Sequence, residues 1–231
     1  MNVLIVGNGH MGEVLYKELV SLNYAVVIVP NLYTFVEGQF DIIIDFSHPE
    51  GINAIAEFAG INKIPTVIAT TGYTDVQLNA ISKLSETIPV LYSGNYSLGV
   101  ILMERLVREA TKVLGEAFDI EIIEKHHHHK IDAPSGTAKM LLAAANENLN
   151  YDVVYGRVGQ CVRAEKEIAV HTIRGGSIVG EHEVIFAGTD EILSIKHEAL
   201  SKVIFAKGAI KGARWLVDKP AGLYNMEQVL F

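Results

Sequence analysis

The sequence predicts an α/β protein: a doubly wound parallel sheet, then an α+β portion built on an open mixed sheet. Three observations predict it. Up to residue 95 or so, short apolar runs alternate with helical spacing, which groups into βαβ units. Those runs are continuously apolar, as strands covered on both faces of a sheet are. Beyond residue 165, three strand-like segments follow one another with no helix between them.

Taken in order, residues 3–6 predict the first strand. Residues 11–22 predict a helix that aligns Val14, Leu15, Leu19 and Leu22 on one face. Residues 25–29 predict a second strand, stopped by Pro30-Asn31, and 41–46 a third. A helix over 51–59, a strand over 66–70 ending at Thr71-Gly72, a helix over 76–84 and a short strand over 90–92 complete this portion. Residues 98–114 then form a long amphipathic helix, 119–125 a strand and 137–148 a helix. The strands without intervening helices are 167–173, 178–186 and 191–198, with Arg174-Gly175-Gly176-Ser177 as a turn. A last helix over 201–216 leads into a tail expected to return to the first portion.

The chain has 231 residues, of which 49% are hydrophobic and 20% charged, the balance of a globular protein with a sizeable core. No apolar run approaches the ~18 residues that span a bilayer. The N-terminus reads as a buried strand and not as a signal peptide. A net charge of −8 makes nucleic acid a poor partner, while leaving room for an anionic ligand at a locally basic site. Cys161 is the one cysteine; it is expected to be an inert thiol, and the cytoplasm is the expected compartment.

Gly7-Asn8-Gly9-His10-Met11-Gly12 follows the first strand and opens the first helix. The first glycine permits the turn, the second lets backbone approach a pyrophosphate, and the third lets helix pack on strand. The helix N-terminus then offers free N–H groups to phosphates. This is the placement of a Rossmann-like dinucleotide loop. The acid that would hold a ribose 2′-hydroxyl belongs at the end of the second strand. There the chain reads Val29-Pro30-Asn31-Leu32-Tyr33, with neither an acid nor a cation for a 2′-phosphate. Asn31 suits either ribose, so this stretch does not choose between NAD and NADP.

A second segment reads Glu124-Lys125-His126-His127-His128-His129-Lys130-Ile131-Asp132-Ala133-Pro134-Ser135-Gly136-Thr137-Ala138. The histidine run is internal and so is not a tag. Metal binding is not expected: successive strand side chains alternate faces, and no ligand at the usual spacing completes a set. Surface histidines would be the bland reading were the run alone. Downstream, however, Pro134-Ser135-Gly136-Thr137 starts a helix whose N–H groups suit a carboxylate, with Lys130 upstream as a cation. A lysine, several imidazoles and a helix N-terminus together suit a dicarboxylate, and imidazole is the usual acid or base near neutral pH.

This segment resembles the E-x-H-H-x-x-K-x-D-A-P-S-G-T-A motif of 4-hydroxy-tetrahydrodipicolinate reductases. Other stretches agree in order: residues 7–12 with the family's nucleotide loop, 45–51 with D-F-[ST]-x-P-x-G, and 70–72 with T-T-G. Residues 93–97 resemble the segment ending in N-[FY]-S, and 174–186 resemble R-x-G-x-I-V-G-E-H. The resemblance implies an enzyme of lysine and diaminopimelate biosynthesis that reduces 4-hydroxy-tetrahydrodipicolinate with NADPH or NADH. It implies His126 as general acid/base and Lys130 as proton donor and carboxylate partner. His127, Gly136 and Thr137 would hold the substrate's carboxylates. Gly7, Gly9, Met11 and Gly12 would face the dinucleotide, with Ala69, Thr70, Thr71, Gly94 and Tyr96 around the nicotinamide and Phe46 and Ser47 near the adenosine ribose. Arg174 and Glu181 match a family segment too, but read equally well as sheet-lining structure.

The resemblance further implies a dinucleotide-binding domain at 1–97 and 204–231 and a substrate-binding and oligomerisation domain at 98–203, closing over the substrate. It implies a homotetramer built on the open sheet, whose exposed face is expected to be apolar. Three departures stand out. The stretch from Pro30 to Phe40 is short. Gly9-His10-Met11-Gly12-Glu13 lacks the arginines that flank Met-Gly in many relatives and help hold phosphates. Ala69 replaces a glycine before T-T-G. Competing readings are another Rossmann dehydrogenase of an amino or keto acid, a non-catalytic NAD(P)-binding sensor, and a metal-binding histidine-run protein.

Overall fold

The protein's structure, a computed structural model, describes residues 1–33 and 36–231. Thr34 and Phe35, in the short stretch after the second strand, lie outside the described residues. The chain divides into two compact units, Met1–Leu98 with Lys202–Phe231, and Gly99–Ser201.

The first unit carries a six-stranded sheet of order β11-β5-β4-β3-β1-β2, parallel throughout. Its strands are β1 (Asn2–Val6), β2 (Ala25–Val29), β3 (Ile42–Asp45), β4 (Thr66–Ile68), β5 (Pro89–Tyr92) and β11 (Gly222–Tyr224). Helices α1 (His10–Ser21), α2 (Ile52–Asn62), α3 (Asp75–Ser85) and α6 (Val203–Leu216) join and cover them. Leu4, Val6, Ile43, Ile68 and Val90 project to one face, where Ile52, Ile55, Ile81 and Leu84 of α2 and α3 bury them. Val3 and Ile5 project the other way and are also fully buried, as are Leu15 and Leu19 of α1. Burial on both faces is what the continuous apolar runs predict. The tail supplies β11, parallel to β5, and a short helix α7 (Met226–Leu230) capped by Asn225.

The second unit carries a five-stranded mixed sheet, β10-β9-β6-β8-β7. Its strands are β6 (Asp119–His126), β7 (Asp152–Tyr155), β8 (Glu167–Arg174), β9 (Gly180–Ala187) and β10 (Ile192–Ala199). β6 runs parallel to β8 and antiparallel to β9. One face packs Ile120, Ile122, Ile168, Val170, Val184 and Phe186 against Met103, Val107, Leu141 and Ala145. These last four come from α4 (Leu98–Leu114) and α5 (Gly136–Asn146). The fold is thus the Rossmann-like sheet plus α+β mixed sheet that the sequence predicts.

Three differences matter. β7, β11 and α7 were not predicted: they are short, and their sequences lack a decisive period. The helix expected over 51–59 begins as a 3-10 turn at Pro49–Gly51 and continues to Asn62. The open sheet face is not the apolar surface expected. Lys125 pairs with Glu181 at 2.5 Å, Glu181 also takes Lys196 at 3.0 Å, and Glu121 holds Arg157 and His171. Ile123, Ile173 and Ile185 lie between these ion pairs, so the face is mixed.

Candidate active site

In the first unit, β1 is followed by Gly7, whose φ of +103° favours glycine. A Cβ there would lie 2.4 Å from the Phe46 carbonyl oxygen, and one on Gly12 would lie 1.8 Å from the Gly7 oxygen. The loop is therefore pressed against both the β3 loop and its own helix. A Cβ on Gly9 would meet nothing within 4 Å, and no side chain caps the N-terminus of α1 there. The first N–H groups of α1 are left for an anion, so this loop fits a pyrophosphate.

Next to it, a cavity of about 120 Å³ is lined by Met11, Phe46, Ala69, Gly94, Asn95, Tyr96 and Phe205. Five residues expected at the cofactor from separate motifs meet here. Tyr96 is buried, and its hydroxyl donates to the carbonyls of Ile68 and Leu91 at 2.8 and 3.0 Å. Its ring shapes the cavity while its hydroxyl ties β4 to β5. Thr70 is buried behind, and Thr71 is exposed. Ser47 turns to a different cavity, with Pro30, Asn31, Tyr33, His48, Glu50 and Gly51. Sequence reasoning passed over the role of Asp45. Fully buried, it accepts from the Ser47 N–H at 2.9 Å and the Ser47 hydroxyl at 2.5 Å, and so shapes the loop after β3. Burial pushes its carboxyl up, against the pull of these hydrogen bonds.

In the second unit, β6 delivers Glu124 and His126 to the helix-covered face, because residues two apart on a strand share a face. Glu124 is fully buried. Its Oε2 lies 2.6 Å from His126 Nδ1 and accepts from Arg174 Nη1 at 2.9 Å. Its Oε1 accepts from Arg174 Nη2 at 2.8 Å, the Ser135 N–H at 3.0 Å and the Thr172 hydroxyl at 3.3 Å. Burial pushes this carboxyl up, but the Arg174 fork, His126 and the Ser135 amide together hold it below the usual range. Glu124 is thus ionised, which puts the His126 proton on Nδ1 and leaves Nε2 as the free lone pair. Burial lowers His126, and Glu124 partly opposes that. A neutral imidazole able to accept a proton at Nε2 results.

Ser135 caps α5: its Oγ accepts from the Ala138 N–H at 3.1 Å and also lies 2.9 Å from His182 Nε2. Gly136 and Thr137, the first residues of α5, are thereby set beside the Glu124–His126 pair. Lys130 stands in the turn after β6, its N–H bonded to the His127 carbonyl at 3.1 Å and its ammonium held by Asp132 at 2.7 Å. His128 and His129 are exposed and face each other at 2.8 Å between Nε2 atoms. The histidine run therefore splits into a buried His126, a half-buried His127 and two surface residues.

Arg174 is not mere sheet lining, since it supplies the fork on Glu124; Glu181 does line the opposite face. His182, which sequence reasoning missed, sits in β9 opposite Glu124 and stacks edge-on to His126 at 5.2 Å. Only the R-x-G-x-I-V-G-E-H match offered a hint of it. Glu124, His126 and His182 bring ligand-type atoms within 4.8 Å of one another. Arg174 already supplies the positive charge a metal would bring, and each carboxylate oxygen is engaged, so the cluster is built as an ion-paired network.

Burial, and then the competition with neighbouring His126 for a proton, push His182 down to about 4. An unfolded histidine titrates near 6.5. Below that the unfolded chain binds a proton that the fold refuses, so stability is full above about pH 6.5 and is lost as pH falls toward 4. The expected loss for this group is about 2 kcal/mol between pH 7 and 5. His182→Gln should flatten the pH dependence of urea unfolding in the second unit; an unchanged slope would remove His182 as its source.

A glycine loop on a parallel sheet, and a separate unit holding an ion-paired imidazole beside a helix N-terminus, define a two-domain dinucleotide-dependent oxidoreductase. Comparisons with known proteins narrow this. Residues 99–230 match the family described as dihydrodipicolinate reductase, C-terminus, and residues 18–96 match dihydrodipicolinate reductase, N-terminus. The 4-hydroxy-tetrahydrodipicolinate reductase of Brachyspira hyodysenteriae is 45% identical over 232 residues, covering 100% of both chains. That of Caldanaerobacter subterraneus is 44% identical, over 96% of this chain and 95% of the other. Among solved structures, a dipicolinate-bound dihydrodipicolinate reductase from Paenisporosarcina sp. TG-14 shares the fold with a TM-score of 0.77. It covers 99% of each chain at 21% identity. The chain belongs to the dihydrodipicolinate reductase family.

Proposed function

We propose that this chain reduces 4-hydroxy-tetrahydrodipicolinate to tetrahydrodipicolinate with NADH or NADPH, in lysine and diaminopimelate biosynthesis. The observation that carries the reading is the Glu124–His126 pair beside the start of α5, within a motif that a full-length family match surrounds.

NAD(P)H, when bound by the glycine loop and the cavity at Met11, Phe46, Ala69, Gly94 and Tyr96, supplies the hydride. Thr70, Thr71 and Ser47 complete that side. The chain's own residues do the rest. His127 and the N–H groups of Gly136 and Thr137 hold the substrate's carboxylates, with Lys130 as counter-charge. Fixing two carboxylates leaves the ring one orientation. His126 Nε2 exchanges a proton with the substrate as the 4-hydroxyl leaves as water, and Glu124 stabilises the imidazolium that forms. Lys130 donates the proton that completes the reduction. No helix among the described residues is long and apolar enough to cross a membrane. We place the enzyme in the cytoplasm as a homotetramer built on the mixed face of the second unit's sheet.

The direct test is oxidation of NADH and NADPH, followed by absorbance, with substrate made in place from pyruvate and aspartate semialdehyde by the preceding synthase. Substrate-dependent turnover is expected. Dinucleotide binding without turnover would instead support a sensor. His126→Gln should flatten the pH–rate profile, because the imidazole proposed to exchange the proton is gone. A profile that keeps its shape would exclude His126 as acid/base.

A further inference from the structure

The cavity at the ends of β2 and β3 bears on which dinucleotide the first unit accepts, a question that rests on the dinucleotide reading above. It measures about 240 Å³ and is lined by Pro30, Asn31, Tyr33, Ser47, His48, Glu50 and Gly51. In sheets of this kind the adenosine ribose reaches the end of the second strand, where an acid selects a 2′-hydroxyl and a cation selects a 2′-phosphate. The stretch after β2 is neutral at Asn31. The structure brings the loop after β3 against it: the Tyr33 hydroxyl donates to the Glu50 carbonyl at 3.0 Å, and the Asn31 Oδ1 accepts from the Tyr33 N–H at 3.2 Å.

The hydrogen-bonding polarity of this cavity follows from those partners. The Ser47 hydroxyl spends its proton on Asp45 at 2.5 Å, so its oxygen is left as an acceptor. The exposed Glu50 carboxylate is acceptor only and negatively charged. A ribose 2′-hydroxyl can donate to either. A 2′-phosphate is itself acceptor only and carries more than one negative charge near neutral pH, so it meets lone pairs and a like charge. The Pro49–Gly51 turn itself carries Glu50, so it adds negative charge at this side of the cavity. Opposing this stand the Asn31 amide N–H₂ and the His48 imidazole. Among the described residues no Lys or Arg lines the cavity, and none occurs in the sequence between Lys17 and Lys63.

We propose that the cavity bounded by Asn31, Ser47, His48 and Glu50 selects against a 2′-phosphate, and that this reductase takes NADH in preference to NADPH. Glu50 and Ser47, from the loop after β3, serve as the ribose-reading groups that the end of β2 lacks.

The test is equilibrium binding to the full chain at pH 8 and low salt, read by nicotinamide fluorescence with NADH and NADPH. Displacement of NADH by ADP-ribose and by its 2′-phosphate is measured alongside. NADH should bind about tenfold more tightly, the size of one unfavourable charge contact at the cavity. ADP-ribose should displace it at correspondingly lower concentration than its 2′-phosphate. Added salt should narrow the gap by screening. Glu50→Gln should raise NADPH affinity about threefold, and Asn31→Arg should raise it about tenfold or more. Equal affinities, or tighter NADPH, would overturn the preference. Binding of neither dinucleotide would overturn the dinucleotide reading and the preference with it. Tight, selective NADH binding without turnover would uphold the preference and count against the proposed reaction alone.

Discussion

Replacing Lys130 with alanine is expected to lower kcat/KM by about 2–4 kcal/mol, roughly 30- to 900-fold. The turn after β6 fixes this side chain, through the Lys130 N–H on the His127 carbonyl and the ammonium on Asp132 at 2.7 Å. A dicarboxylate entering beside the start of α5 would compete with Asp132 for that charge, and the ammonium is the group proposed to donate the final proton. Both uses fail in alanine, so kcat should fall as well as KM rise. The fold should be untouched, because Lys130 makes a partly exposed ion pair of small net value. Near-normal kcat/KM in Lys130→Ala would end its proposed role.

The largest effect on stability is expected at Glu124. Its two oxygens accept from Arg174, His126, Ser135 and Thr172. Glu124→Ala leaves the Arg174 guanidinium without its counter-charge and the Ser135 amide without its acceptor, inside a water-poor site. The expected cost is about 3–5 kcal/mol, the range for breaking a buried ion pair from one side. Hydrogen exchange should localise it, with the amides of β6, β8 and β9 losing protection while those of the six-stranded sheet keep theirs. A companion variant, Arg174→Met, separates the partners' roles. It removes the nearby guanidinium charge and leaves His126 as the one cationic partner of Glu124, so the imidazole should titrate higher and the acid limb of the rate profile should move up. Unchanged protection in Glu124→Ala would show that the network contributes little to the fold.

Both sites show what local sequence carries. The loop at residues 7–12 is legible because its three glycines answer to backbone constraints within one strand and one helix. His126, Lys130, Gly136 and Thr137 are legible because they fall within a dozen residues whose order survives folding. The six parallel strands up to Tyr224 follow the same division. β1 to β5 announce themselves by apolar runs, whereas Gly222–Tyr224, three residues including a glycine, becomes a strand only because β5 offers it an edge. β7 likewise gains its identity by pairing with β8.

By itself the sequence determined the order of the elements other than β7, β11 and α7, the two kinds of sheet, the glycine loop and the histidine–lysine segment, since each depends on period or on neighbours along the chain. Only the tertiary structure decided which distant groups complete the chemistry. Strand register sets Arg174 opposite His126 and His182 opposite Glu124, pairings between residues about fifty positions apart that no local pattern encodes. The same holds for the cavity beyond β2 and β3, where Tyr33 joins two loops and brings Glu50 to Asn31. The physical reason is common to both cases: side-chain charge and hydrogen bonding act through space over a few ångströms, and only folding decides which residues lie that close.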